Sequence, residues 1–428
     1  MIQRIRRLMA LLSVVAMVAA CGGDETADTT SPSPEAPTET SEPAETTTEP
    51  TGTSEATASD EPIRIGTLTS LTGNFGPWGV QVTDGMQLAA AEINEAGGVD
   101  GRMIELVEAD DQSNAEEGAA ALERLIEAEG VVAVGGIISS DVGLQTALLA
   151  EELAVPLFLV KAGSEAILTA DSRYTFRTCL PAAPMVAGPI LQYVQDEGLT
   201  RVGAIIADYA WGQAINSALQ DTFAGAEGIE LEIAVAPVGE TDFTTYLRGF
   251  EALDPEMIIA TGHPPGSGPI TAQSADLYDV PVTGSYTPRS LVAGGVGEAA
   301  INRYADFGCA DVTSTEYQDL ARRYLEASDN VFFEDDALAG YGIVTMVAQA
   351  VGEVGDDPTA IAEYLHATTF DIPGYAFDVS WTEWGELAAA TIAFDVIGPG
   401  PAPEGVNDAG DWYPERLSLS EPLEPYQP

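Results

Sequence analysis

The chain has 428 residues, with 68 Asp and Glu against 16 Lys and Arg and a formal net charge of −52. So negative a field excludes nucleic acid and anionic membrane surfaces as partners. The length exceeds one ordinary domain, so two globular domains plus tails are expected.

In chain order, Arg4, Arg6 and Arg7 form a basic front, Leu8 to Met17 an apolar core, and Val18-Ala19-Ala20 a run of small residues. That is the pattern of a targeting segment, and it is too short for a comfortable membrane span. Val-Ala-Ala-Cys-Gly resembles the bacterial lipobox, which implies a signal peptide over 1–20 and a lipid on Cys21. A plain secretory signal with a chance cysteine is the alternative. Residues 21–61, rich in Thr, Glu, Pro and Ser with no Lys or Arg, read as a disordered acidic tether. A soluble body would then stand at the outer face of the cytoplasmic membrane, held by its lipid. Cys179 and Cys309 remain; in an exported chain they read as one disulfide, with two unpaired buried thiols as the alternative.

From Ile63 onward short apolar runs alternate with amphipathic stretches. Strands are expected at 63–68, 103–107, 131–134, 155–160, 202–206, 231–236, 257–260 and 391–396. Helices are expected at 82–96, 115–128, 142–153, 212–223, 243–253, 269–277, 317–326 and 337–353. Alternation of this kind makes parallel sheets with right-handed crossovers, and two such series make two doubly wound α/β domains. The expected division is 62–180 with 310–375, then 181–309 with 376–398, leaving 399–428 as a Pro-rich irregular tail. The domain crossovers would form a hinge, with both cysteines on it.

In open parallel sheets ligands bind beyond the carboxyl ends of the strands. The most promising such turn is Gly135 to Asp141, two glycines and two serines between a buried strand and a helix. Its helix begins with N–H groups that lack intrahelical partners, an arrangement suited to a carboxylate. The other strand-end loops also carry small hydroxyl residues, glycine and an aromatic. They suit hydrogen bonding beside an aromatic wall, not acid–base chemistry.

The segments Gly66 to Gly73 with Trp78-Gly79, Gly85 to Asn94 leading into Gly97 to Gly101, Asp110-Asp111, Gly135 to Ser140, Trp211-Gly212 and Asp242-Phe243-Thr244 share one ordered pattern. In order and spacing this pattern, from about Ile63 to about Val396, resembles the type I periplasmic binding proteins of the leucine/isoleucine/valine-binding branch. Those are the solute receptors of ABC importers. The resemblance implies a monomer that closes about its hinge on a small polar solute, an amino acid of the branched-chain type or a related amide or carboxylate, and delivers it to a permease with ATPase subunits. It implies no cofactor, no metal and no catalysis. It places Ile138 and Ser139 on a ligand carboxylate, and Ala162, Gly163 and Ser164 on the carboxylate and ammonium of an amino acid. Trp78 and Trp211 stand where the family often has tyrosines that cover the ligand, and His263 stands near another aromatic position.

Two features depart from that pattern. The position where amino-acid binders offer an acid to the ammonium falls near Tyr286, and no Asp or Glu lies between Val280 and Val296. A buried ammonium without a carboxylate is expensive. Either Asp208 substitutes, or the ligand is an amide, a urea-like solute or a carboxylic acid. The second departure is Lys161, the only lysine of the chain, which directly precedes Ala162. It either pairs with one of the many acids or faces an anionic ligand.

Other signals are weaker. Gly295 to Ala300 fits a dinucleotide fingerprint but follows a loop, and is read as loop itself. Two histidines, His263 and His366, cannot build a histidine-rich metal site. Ser139 and Ser164 lack an identifiable base, which leaves an exported hydrolase without a nucleophile. A ligand sensor acting through a separate membrane partner is the other reading.

Overall fold

The computed structural model describes residues 61–428. The expected signal peptide, the lipid on Cys21 and nearly all of the tether lie outside the described residues. The first sheet contains β1 (Ile63–Thr69), β2 (Ile104–Asp110), β3 (Ala133–Ile137), β4 (Leu157–Leu159) and β5 (Thr175–Arg177), all parallel, in the spatial order β2-β1-β3-β4-β5. Every residue of β3 is buried, as a short β-branched run between two helical layers should be. The crossovers are α1 (Gly76–Glu95), α2 (Ala115–Glu127) and α3 (Ser140–Leu153). In α2 the local chemistry is explicit. The Asn114 side chain accepts the N–H groups of Glu116 and Glu117, acids occupy the first turn, and Arg124 sits in the last.

The chain then enters the second domain through α4 (Ala183–Asp196), β6 (Arg201–Ala207), α5 (Ala210–Ala224), β7 (Glu230–Ala236), α6 (Thr244–Gly249), β8 (Met257–Ile259), α7 (Ser267–Ala275), β9 (Val282–Ser285), α8 (Arg289–Val296) and β10 (Tyr304–Gly308). Three helices follow: α9 (Thr315–Ala327), α10 (Asp335–Val354) and α11 (Pro358–Ala367). Of these α10 packs along α1 of the first domain and touches β3. Last come β11 (Ala393–Pro399) and β12 (Trp412–Leu419), which complete a seven-stranded sheet in the order β12-β11-β10-β9-β8-β6-β7.

Four differences from the sequence expectation have physical causes. The sheet of the second domain is mixed, because β11 and β12 run antiparallel to their neighbours. Residues 399–428 are not all tail: β12 pairs along β11, and as the edge strand it tolerates Pro414. Gly295 and Val296 close α8 rather than lying in a loop, since the polar start of that helix is satisfied by Glu334, whose carboxylate accepts the N–H groups of Arg289 and Ser290. Strands β9 and β10 escaped the apolar-run criterion because they bury Thr283 and Asp306 among their hydrophobic residues. Asp306 is held there by the Thr287 N–H, 2.8 Å away.

Cys179 follows β5 and Cys309 follows β10, and the two are joined by a disulfide across 130 residues of sequence. Both side chains are fully buried. A loop of that length corresponds to about 5 kcal/mol of lost denatured-state entropy. Reduction, or the double variant C179S/C309S, should therefore lower the unfolding free energy in urea by up to about 5 kcal/mol. An unchanged urea midpoint would show that the bond contributes nothing.

Candidate functional site

The site begins where β3 ends. Gly136 has φ +116°, and a Cβ there would lie 2.7 Å from the Leu68 carbonyl oxygen, so only glycine fits. Between Gly135 and Ile137 the register against β4 shifts, and the bend sends Ile138 and Ser139 into the start of α3. Ser139 is the N-cap in extended conformation but makes no side-chain cap hydrogen bond. The Ser140 hydroxyl instead accepts the Ser164 N–H at 3.2 Å, tying the second binding segment to the first. Behind that segment Arg177 donates to the Ala162 carbonyl and, at 2.8 Å, to the Ser164 carbonyl. Arg177 is itself paired with the buried Glu386 at 2.8 Å.

Between the two domains lies a nearly closed cavity of only about 10 Å³, lined by Trp78, Ile138, Lys161 and Trp211 among the residues expected from sequence. Phe75, Leu180, Tyr209 and Pro264 complete the lining. The Trp78 indole N–H donates across the cleft to the Tyr286 carbonyl at 3.1 Å, and Trp211 donates to the Thr261 carbonyl at 3.0 Å. The Trp211 ring lies directly on Gly163, where an added Cβ would come within 2.5 Å of it. Asp141, in the first turn of α3, accepts the Ala210 N–H at the start of α5. Phe75 meets Tyr209 at 5.4 Å between ring centroids. The two domains thus touch through aromatic rings and two polar bridges.

The remaining expected residues surround the cavity without lining it. Ser139, Ala162, Gly163 and Ser164 are buried in the two binding segments. His263 is turned away: its Nδ1 accepts the Gly266 N–H at 3.1 Å, so Nε2 carries the proton and donates to the Pro237 carbonyl at 2.9 Å. Burial lowers its pKa, consistent with a neutral ring fixing the loop that presents Pro264. Tyr286 has φ 54°, a strained conformation for a tyrosine, and it aims its carbonyl at Trp78. Asp208 is exposed and accepts from Gln213.

Lys161 is buried to 7% exposure in the cavity wall. Its Nζ lies 3.1 Å from Asp336 Oδ2 and 5.5 Å from the Tyr286 ring centroid. The ammonium thus pairs with one of the many acids, as one of the two readings expected, while the residue also lines the cavity. The acids near Tyr286 come from elements distant in sequence. Arg289 meets Asp335 at 2.7 Å and Asp395 at 3.6 Å, and Asp335 also accepts the Cys309 and Ala310 N–H groups. Burial raises the Asp336 pKa to about 7 against the opposing pull of Lys161. Burial also acts to raise Asp335, but the charges of Arg289 and Lys161 outweigh it and hold that carboxyl below its usual value. None of these carboxylates lines the cavity among the described residues.

Sequence reasoning missed five participants. Tyr209 and Pro264 adjoin residues that were singled out, and Phe75 precedes Trp78 by three, so proximity was an available signal. Leu180 follows a cysteine and gives none. Asp336 gave none either, because Glu334-Asp335-Asp336 before an apolar helix looks like an ordinary acidic first turn.

Residues 62–395 match the family model described as periplasmic binding protein. The Leu/Ile/Val-binding protein homolog 3 of Brucella melitensis is 24% identical over 80% of this chain and 92% of its own. The leucine-, isoleucine-, valine-, threonine- and alanine-binding protein of Pseudomonas aeruginosa is 23% identical over 76% and 87%. Among solved structures, an R. palustris ABC transporter solute-binding protein in complex with benzoate superposes with TM-score 0.72 at 19% identity, covering 85% of this chain and 98% of that one. The branched-chain amino acid transporter substrate-binding protein LivJ of Streptococcus pneumoniae, in complex with isoleucine, gives 0.71 at 21% identity over 85% and 99%.

The contact of Trp211 with Gly163 generates a prediction independent of any ligand. Gly163→Ala should displace the indole, change the near-ultraviolet circular dichroism, and lower stability by about 1–3 kcal/mol through overpacking. A variant with wild-type spectrum and melting temperature would show that the ring moves aside freely.

Proposed function

The chain belongs to the periplasmic binding protein family, and we propose that it is an extracytoplasmic receptor for a small apolar or aromatic monocarboxylate, which it hands to an ABC importer. The carrying observation is the Lys161 ammonium, buried in the wall of an otherwise apolar and aromatic cleft between the domains. An anionic headgroup placed against it also meets the start of α3, where the uncapped first turn favours negative charge. The rest of the ligand meets Trp78, Trp211, Phe75 and Tyr209, a surface suited to a ring or branched alkyl chain. Nothing in that lining offers a carboxylate to an ammonium, and the nearest acids are committed to Lys161 and Arg289. This favours a ligand of the benzoate kind over a zwitterion of the isoleucine kind.

In the proposed cycle the ligand docks on the Ile138–Ser139 turn and the Ala162–Gly163–Ser164 segment. The second domain then closes with Trp211, while the Trp78–Tyr286 and Asp141–Ala210 bridges hold the closed form. A lipid on Cys21 and the acidic tether would keep a monomeric receptor near its permease and ATPase partners.

Calorimetry with benzoate, 4-methylpentanoate and leucine tests the ligand class. The two carboxylates should bind without turnover, and Lys161→Ala should weaken them roughly 10- to 100-fold, the worth of one charged hydrogen bond. Tight leucine binding with no response to 4-methylpentanoate would overturn the carboxylate reading.

A further inference from the structure

We propose that capture of a carboxylate at Lys161 is coupled to uptake of one proton by Asp336, the residue paired with that lysine behind the cavity wall. The inference rests on the ligand class proposed above.

The geometry carries it. Lys161 and Asp336 are both buried, at 7% and 1% exposure, and only Lys161 reaches the cavity. Their 3.1 Å contact is a buried ion pair, and no other hydrogen bond braces Lys161 Nζ or either Asp336 oxygen among the described residues. The ammonium thus keeps donors that a second anion could accept. Among the described residues Asp336 has no other cation in contact. Asp335 and Glu334 face it from its own helix with like charge, and Tyr324 approaches from α9. Arg289 cannot replace the lysine, because Asp335 and Asp395 already flank it while Asp306 adds a further buried acid at the same junction. Tyr286, beside Lys161, presents a neutral ring, its hydroxyl pKa raised by burial.

A ligand carboxylate therefore brings a further negative charge to a buried site with one available ammonium. Two carboxylates sharing one buried cation are strongly destabilised, and the lowest-energy response is protonation of one of them. Asp336 is that one, because it is already close to neutrality at physiological pH. The balanced step is RCOO⁻ plus H⁺ plus the Lys161⁺–Asp336⁻ pair, giving the Lys161⁺–RCOO⁻ pair and neutral Asp336. The proton comes from buffer, and no covalent bond changes other than its transfer to a carboxylate oxygen. Asp336 is a positioning residue here: it sets the charge state that Lys161 offers to the ligand and does not touch the ligand itself.

The sign of the linkage follows. Below about pH 7 Asp336 already carries the proton, so binding there takes up little; above it, binding must bring the proton in, and affinity falls by up to about tenfold per pH unit. The test is titration calorimetry of the full-length chain with benzoate and 4-methylpentanoate, in buffers of different ionisation enthalpy, at about pH 5.5 and about pH 8. Proton uptake should rise from near zero toward one, and affinity should fall between the two conditions. Asp336→Asn should remove both effects and bring the affinity at the higher pH up to the wild-type value at the lower. If that variant does not fold, the wild-type buffer series decides alone. Carboxylate binding with no proton uptake and no pH dependence would overturn the inference while leaving the ligand class standing. Failure of both carboxylates to bind at either pH would instead remove the ligand class, and the inference with it.

Discussion

The buried guanidinium of Arg289 organises the junction on which the rest of the structure depends. It belongs to α8 of the second domain, yet its ion-pair partners are Asp335, at the start of α10, and Asp395 of β11. Glu334 adds two hydrogen bonds to the backbone that opens α8. Because α10 packs along α1, this cluster ties the second domain to the core of the first. Removing one partner of such a network leaves an uncompensated charge, at a cost of about 3–5 kcal/mol. The Cys179–Cys309 disulfide lies beside it, linked through the Cys309 N–H to Asp335. A covalent bond and a charge cluster therefore fix the same point between the two domains.

The two kinds of acid in the chain do different work. Exposed carboxylates give the surface its large negative charge, which governs solubility and partner choice more than fold. A few buried ones, Asp306, Glu334, Asp335, Asp336, Glu386 and Asp395, hold cations or backbone N–H groups at the domain junction. Lys161 stands between these populations, paired from behind by a buried acid and facing a cleft without one. In such a strongly acidic chain the field inside the fold is still set locally: one ammonium at contact distance outweighs many screened surface charges.

Much of the fold was legible because hydrophobic periodicity is a local property. β1, β6 and β7 lie within a residue of the expected bounds and β3 within three, and helices such as α2 carry their caps and charge bias in sequence. The elements that escaped break the periodic rule for nonlocal reasons. α4 contains Pro184 and Pro189, β10 buries Asp306, and β12 carries Pro414 and Arg416. Each is made tolerable by a partner far away in the chain, as Asp395 does for Arg416. The site followed the same division: Trp78, Ile138, Lys161 and Trp211 were readable from strand-end loops, while Leu180 and Asp336 were not.

The sequence by itself determined the alternation of strands and helices, the two domains, a strand-to-helix junction near Gly135 to Asp141, and the peculiarity of a single lysine. These depend on residue type and short-range spacing. The structure alone shortened the turn at that junction to Ile138 and Ser139. Only the tertiary structure decided that β11 and β12 run antiparallel, that His263 turns away from the cleft, and that Lys161 faces the cavity with Asp336 behind it. Those outcomes depend on which charges and rings meet across long stretches of chain, as Lys161 meets Asp336 and Trp78 meets Tyr286. In a low-dielectric interior such meetings set which groups are charged. The end of β3 and the start of α3 follow from local sequence, but the surroundings of Lys161 are fixed by the packing of α10 against the first sheet.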